Sequence, residues 1–468
     1  MIENAQMWAP SAWISGTWQR AVLLEAGSDG LWSRVEPGVT DPPPRAERLA
    51  GPALPGLVNG HSHAFQRAFA GLAERREGEV DDFWSWREQL YRVAQRVEPN
   101  QLQVIAAHLY LELLRVGYTH VCEFHYLQHR QDGSLYQDPL EMSWALAVAS
   151  AEAGVQLTLL PVLYERAGFD RPELAPEQRR FHASADQVWA MQGAIASRHL
   201  NGVRAGVAIH SVRAAAPESI ARLRELAEHF NGPIHIHASE QMQEVDQCVA
   251  AHGHRPIEWL ARQGLDARWQ LVHATHASDA EIELVARSGA GIVLCPTTEA
   301  NLGDGLPDLA AWLATGVPIS IGSDSHVTRS WREELRLLEY GQRLVRQHRN
   351  IAAAPALGVP STAARLFERV LQGGAAAAGF SRWGFQAGAP ADLLVVDPAE
   401  SSLLGVPRPM LLDALVFSSP GRPWRDVMVA GRWQIKDHEH PLARQITGRF
   451  EQVMEQLWRD PSSQGMER

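Results

Sequence analysis

An alternation through the middle of the chain constrains the fold most: apolar segments with strand character are separated by stretches of helical periodicity. Eight such segments can be read: ALPGLVN (53–59), YTHVCEF (118–124), VQLTLLPV (155–162), VRAGVAI (203–209), GPIHIHA (232–238), WQLVHAT (269–275), AGIVLCP (290–296) and VPISIGS (317–323). Between them lie helical patterns such as PNQLQVIAAHLYLELLRVG, PESIARLRELAEHF and DAEIELVARSG, the last two opening on residues suited to a helical first turn. Strands that regularly return through a helix form a parallel sheet. Eight units over about 270 residues predict an α/β fold, a (β/α)8 TIM barrel, with function at the carboxyl ends of its strands.

The two ends of the chain read differently. AWISGTW and AVLLEA are broken by Gly, Ser and Asp and lead into the Pro-rich DPPPRAERLAGP, whereas GAPADLLVVD, DALVFSS and VMVAGRWQ lie near the other end. These patterns predict a small β-sandwich domain built from both terminal segments. Residues 1–52 supply its N-terminal part, 53–385 form the barrel, and 386–468 supply the C-terminal part plus a terminal helix.

Composition removes several function classes. With 468 residues, 45% of them hydrophobic, the chain can bury a large core. Its formal charge of -11 argues against a phosphate-binding surface, because counterion release needs clustered cations, so no nucleic-acid partner is expected. Cys122, Cys248 and Cys295 are far apart and form no CxxC, which points away from a disulfide framework and a zinc knuckle and fits a reducing interior. No membrane-spanning run or signal pattern is read, so a cytoplasmic protein without a membrane partner is expected. The 16 Trp are scattered, as for packing rather than a ligand box.

The residues that close the candidate strands are rich in metal ligands and acid/base groups. His61 and His63 follow the first strand, His237 and Glu240 the fifth, His273 the sixth and Asp324 the eighth. In extended backbone the His-x-His spacing puts both imidazoles on one side of the chain. That spacing is weak evidence alone and gains weight from its place at a strand end. His235 competes with His237, and His276 with His273; the choice falls on the residue nearer the carboxyl end for strand five, and on the one closing the apolar run for strand six. Three imidazoles and one carboxylate, His61, His63, His237 and Asp324, suit Zn2+, one per subunit, although ligand type leaves Fe2+ and Mn2+ open. A catalytic zinc lowers the pKa of a bound water to about 7.

LPGLVNGHSH, HIHASE, LVHATH and IGSDSH, in that order and followed by GAPADLLVVD, resemble the amidohydrolase superfamily over nearly the whole chain. Binuclear members use a carbamylated lysine at the fourth strand; this chain has a single lysine, Lys436, outside the barrel. The HxxE at strand five resembles the mononuclear deaminase branch. More narrowly, HSHAFQRAFAG, DDFWSWREQLY, VCEFHYLQH and AIHSVRAA resemble deiminases of histidine degradation that act on N-formimino-L-glutamate. The resemblance implies a metal-dependent hydrolase of a linear amidine that releases ammonia and N-formyl-L-glutamate. It implies that Asp324 and His273 take the proton of the attacking water, that Glu240 protonates the departing nitrogen, and that Gln66, Arg87, Tyr126, His210 and Arg213 contact the substrate. A dicarboxylate amidine suits two arginines, whose guanidinium forks match carboxylates. A homodimer is expected from the family. The competing readings are an aminohydrolase acting on a purine, pterin or other ring amidine, and a non-catalytic barrel, which the full ligand set disfavours.

Overall fold

The computed structural model describes residues 5–76 and 83–459. Asp81 and Asp82, which open the DDFWSWREQLY motif, lie outside the described residues. Eight parallel strands form the barrel: Leu57–Ser62, Tyr118–His125, Gln156–Leu163, Val207–Ser211, Ile234–Ala238, Trp269–His273, Gly291–Leu294 and Ile319–Ile321, each beside its neighbours in chain order. A short strand, Val203–Ala205, adds to the third. The ring meets between its last and first strands just beyond their carboxyl ends, where Asp324 N–H donates to the His61 carbonyl (3.0 Å) and His63 N–H to the Asp324 carbonyl (3.3 Å). The seam therefore lies at candidate ligands. Gly322 makes the approach feasible, since a Cβ there would stand 2.7 Å from the His61 Cβ.

Sequence periodicity joined Ala53–Leu54 to the first barrel strand, and the structure separates them. Pro55 interrupts the segment, and Ala53–Leu54 pairs instead with Ala12 and with Leu394 and Val395. The small domain thus joins both ends of the chain in one sheet, ordered Arg432–Ile435, Trp424–Val429, Leu393–Val396, Ala53–Leu54, Ala5–Ile14, Thr17–Ala26 and Trp32–Glu36. Its own core includes Met7, Leu24, Trp32, Phe385 and Met428. The terminal helix, Ala443–Trp458, lies against the barrel helix Pro99–Arg115, with Phe450 stacked on His108 at 4.0 Å.

Helix Thr362–Ala378 packs beneath the barrel, at the end opposite the strand carboxyl termini. His235 Nε2 donates to the Ala377 carbonyl (2.8 Å) and Thr158 Oγ1 to that of Ala378 (3.1 Å), satisfying two of the carbonyls a helix end leaves open. His235 is thus occupied in the barrel floor. All three cysteines are buried and unpaired, and among the described residues no helix is long and apolar enough to cross a membrane.

Candidate active site

Three of the strands that carry the site end in unusual backbone. Ser239 (φ 54°), His273 (71°), Ala274 (49°) and Asp324 (45°) all adopt left-handed conformations, clustered where strands five, six and eight end. Such conformations cost of order 1–3 kcal/mol each and concentrate at functional sites.

Three buried imidazoles converge there. His61 Nε2 lies 3.1 Å from His63 Nε2 and 3.0 Å from His237 Nε2. The Nδ1 of His63 donates to the Phe124 carbonyl (2.9 Å) and that of His237 to the His210 carbonyl (2.9 Å), so both present an Nε2 lone pair inward. One proton on His61 can serve only one of those lone pairs; a cation serves all three. Burial pushes His63 down to about 3, and burial together with neighbouring imidazoles holds His61 and His237 well below the ordinary histidine range. Neutral imidazoles are the metal-binding form. His326 Nε2 donates to the His63 carbonyl (3.1 Å) and braces this strand end.

Asp324 faces the trio, its Oδ1 3.6 Å from His61 Nε2 and 3.4 Å from His63 Nε2, while Oδ2 lies 3.8 Å from His273 Nε2. The three histidines gathered from strand ends thus form one cluster of nitrogens, a donor set that fits a divalent metal, and Asp324 borders it on the side of His61 and His63. Burial drives Asp324 up to about 7, against His273 and with Glu240 and Glu299 adding to the rise. For His273 burial acts downward, but Glu240, Glu299 and Asp324 outweigh it and raise the imidazole to about 10. A divalent cation at the nitrogens would lower both groups. Glu240 Oε1 stands 3.6 Å from His273 Nε2. His276 lies in the turn beyond, its N–H donating to the Ser239 carbonyl (3.1 Å). His273, Cys295 and Asp324 form a second close group, with potential ligand atoms within 4.8 Å of one another.

One pocket opens on this centre, and Gln66, Arg87, Tyr126, His210 and Arg213 all line it. Gln66, on the turn after strand one, donates to the Tyr126 hydroxyl (3.3 Å). The Tyr126 ring stands edge-on to His63 at 5.0 Å, and His210 edge-on to His237 at 5.1 Å. Arg87 comes from helix Phe83–Ala94, with its guanidinium carbon 5.6 Å from the Tyr91 ring centre. Burial lowers the Arg87 pKa and Arg213 adds to the effect, so the two cations sense each other.

Three functional candidates escaped the sequence reading. Glu299, on helix Pro296–Leu302, accepts from His273 Nδ1 (3.3 Å) and from Cys295 N–H (2.8 Å). Tyr164 immediately follows the third strand, and Tyr91 sits on the Arg87 helix; both line the pocket.

The amidohydrolase family model matches residues 53–434. The chain is 44% identical over 453 residues to a formimidoylglutamate deiminase of Pseudomonas aeruginosa, covering 96% of this chain and 99% of the relative. It is 28% identical to a 5-methylthioadenosine/S-adenosylhomocysteine deaminase of Natronomonas pharaonis, covering 82% of each. Among solved structures, an amidohydrolase from Brucella melitensis superposes with a TM-score of 0.91 at 38% identity, covering 97% of this chain and 99% of the other.

Proposed function

Because the chain belongs to the amidohydrolase family, we propose that its pocket hydrolyses N-formimino-L-glutamate to N-formyl-L-glutamate and ammonia. The observation that carries the substrate reading is the meeting of a metal-type donor set with Arg87 and Arg213 in one pocket. A linear amidine with two carboxylates uses both features. Aromatic side chains also line the pocket, but a neutral ring would give the two guanidiniums no anion.

The proposed ion is zinc, one per chain, held by His61, His63, His237 and Asp324. When bound, it supplies Lewis acidity that makes water a nucleophile near neutral pH. The side chains do the rest. Asp324 Oδ2 and His273 Nε2 face each other across 3.8 Å and take the proton from the attacking water. The His273 ring, its Nδ1 bound to Glu299, presents Nε2 to the charge that builds on the formimino carbon's substituents. Glu240 delivers a proton to the departing nitrogen, and ammonia leaves. Gln66, Tyr126 and His210 hold the substrate near the metal while Arg87 and Arg213 pair with its carboxylates. A homodimer is the assembly proposed from the family resemblance, and sedimentation of the purified protein checks it.

Turnover followed by NMR tests the reading. Metal-loaded protein should convert N-formimino-L-glutamate to N-formyl-L-glutamate with one ammonia per turnover, and chelation should stop it until zinc is returned. Absence of ammonia release by the metal-loaded protein would refute it.

A further inference from the structure

Two tyrosines in the pocket have their hydroxyl groups set by one buried amide. Gln178, on the turn Pro176–Phe181, places its Nε2 2.9 Å from the Tyr164 hydroxyl and 3.1 Å from that of Tyr91. Ala175 N–H donates to Gln178 Oε1 at 3.0 Å, which fixes which way the amide faces. An amide nitrogen only donates, so each phenol oxygen accepts one of its hydrogens and each phenol keeps its own proton to give elsewhere. Burial holds the Tyr164 phenol well above its ordinary pKa, so that proton stays on.

We propose that the Tyr91 and Tyr164 hydroxyls donate to the side-chain carboxylate of the substrate, and that Gln178 is the positioning residue that makes both of them donors. This rests on the deiminase reading. Distance from the metal centre selects the carboxylate. Tyr126 and His210 stand against the histidine cluster at 5.0 and 5.1 Å, and Tyr164 stands against those two rings at 6.4 and 4.5 Å, a second rank behind the groups that hold the reacting carbon. The side-chain carboxylate of formiminoglutamate is separated from the amidine-bearing carbon by two methylene groups and reaches outward in the same sense. Charge agrees: burial and then Arg213 add to the cost of charging Arg87 at this end of the pocket, and a bound anion offsets it. The same turn anchors the helix that brings Tyr91 and Arg87. Gln95 Nε2 donates to the Glu177 carbonyl (2.6 Å), and buried Arg180 donates to the carbonyls of Ala94 and Val97 (3.0 Å for Val97).

The test compares N-formimino-L-glutamate with N-formimino-L-glutamine, which replaces the side-chain carboxylate by a neutral amide of the same shape, on full-length metal-loaded protein. Tyr91→Phe and Tyr164→Phe remove one donor each. Gln178→Glu turns the buried group into an acceptor that draws both phenol protons away from the pocket. Each change should raise KM for the acid about tenfold, as expected for a lost hydrogen bond to a charged group, leave KM for the amide within about twofold, and leave kcat for both near wild type. An acid-over-amide preference equal to wild type in both Phe variants overturns the proposal, whether or not Gln178→Glu folds. Glutarate binding, read by calorimetry, probes the subsite without turnover: about 100-fold weaker binding in the Tyr91→Phe, Tyr164→Phe double variant, which loses both hydrogen bonds, supports it, and unchanged binding overturns it. Failure of the wild type to release ammonia would instead strike the deiminase reading, leaving the glutarate result to judge the subsite.

Discussion

At the scale of single residues, acid/base work and metal holding fall on different side chains, so mutation can separate them. Glu240 lies 3.6 Å from His273 and is absent from the three-histidine cluster. Glu240→Gln should therefore lower the rate of ammonia release by at least about 100-fold, the usual worth of a general acid, while metal analysis still finds one equivalent. Glu299 acts through another residue. Glu299→Gln keeps the shape but removes the charge that helps raise His273 to about 10, and kcat should fall about 10- to 100-fold, as when other outer partners of metal sites are changed. A kcat equal to wild type would remove Glu299 from the account. This pair also shows what a sequence can disclose. His61, His63, His237 and Asp324 close or follow barrel strands, where the carboxyl-end rule looks for function; the structure clusters the three histidines and sets Asp324 beside His61 and His63. Glu299 is carried by a helix and reaches His273 only because the chain folds back, which no local pattern encodes.

At the scale of elements, the alternation of strand and helix placed all eight barrel strands, because strands buried on both faces read as short continuous apolar runs whereas helices bury one face at a period of 3.6. It misassigned Ala53–Leu54, because a short apolar run looks the same whichever sheet it joins, and Pro55 was the signal of the break. Helix Thr362–Ala378, the floor of the barrel, had no such signal, since its importance lies in close contact. At Gly373 a Cβ would stand 2.1 Å from the Ile319 carbonyl oxygen, on the last barrel strand. Gly373→Ala should destabilise the protein by about 1–3 kcal/mol, the range for overpacking, read as a lower urea midpoint. Its kcat should stay close to wild type, since the helix floors the end of the barrel remote from the metal.

For the whole molecule, stability against pH is a sum of opposing buried groups. Burial holds His120 at about 3, so in acid it stays neutral when folded and takes a proton only when unfolded, near 6.5. Its contribution is intact above pH 6.5 and is lost as pH falls from there towards 3. Burial raises Glu123 to about 7 and Asp392 to about 6; these stay protonated when folded, so their contribution is present in acid and is lost as pH rises through those values. A difference measurement isolates one group: relative to His120→Gln, the wild type should lose about 1.4 kcal/mol per pH unit below pH 6.5, in urea unfolding of metal-free protein. Parallel curves would contradict the assignment. The central claim is that this amidohydrolase pairs a metal centre with recognition of a linear dicarboxylate. It is tested most directly by kcat/KM for ammonia release from N-formimino-L-glutamate against guanine, cytosine and adenosine, with one zinc-loaded preparation. The account predicts a preference for the linear amidine of at least about 100-fold, as for a site built around polar groups that a ring substrate does not offer; faster turnover of any of the three ring substrates would contradict it.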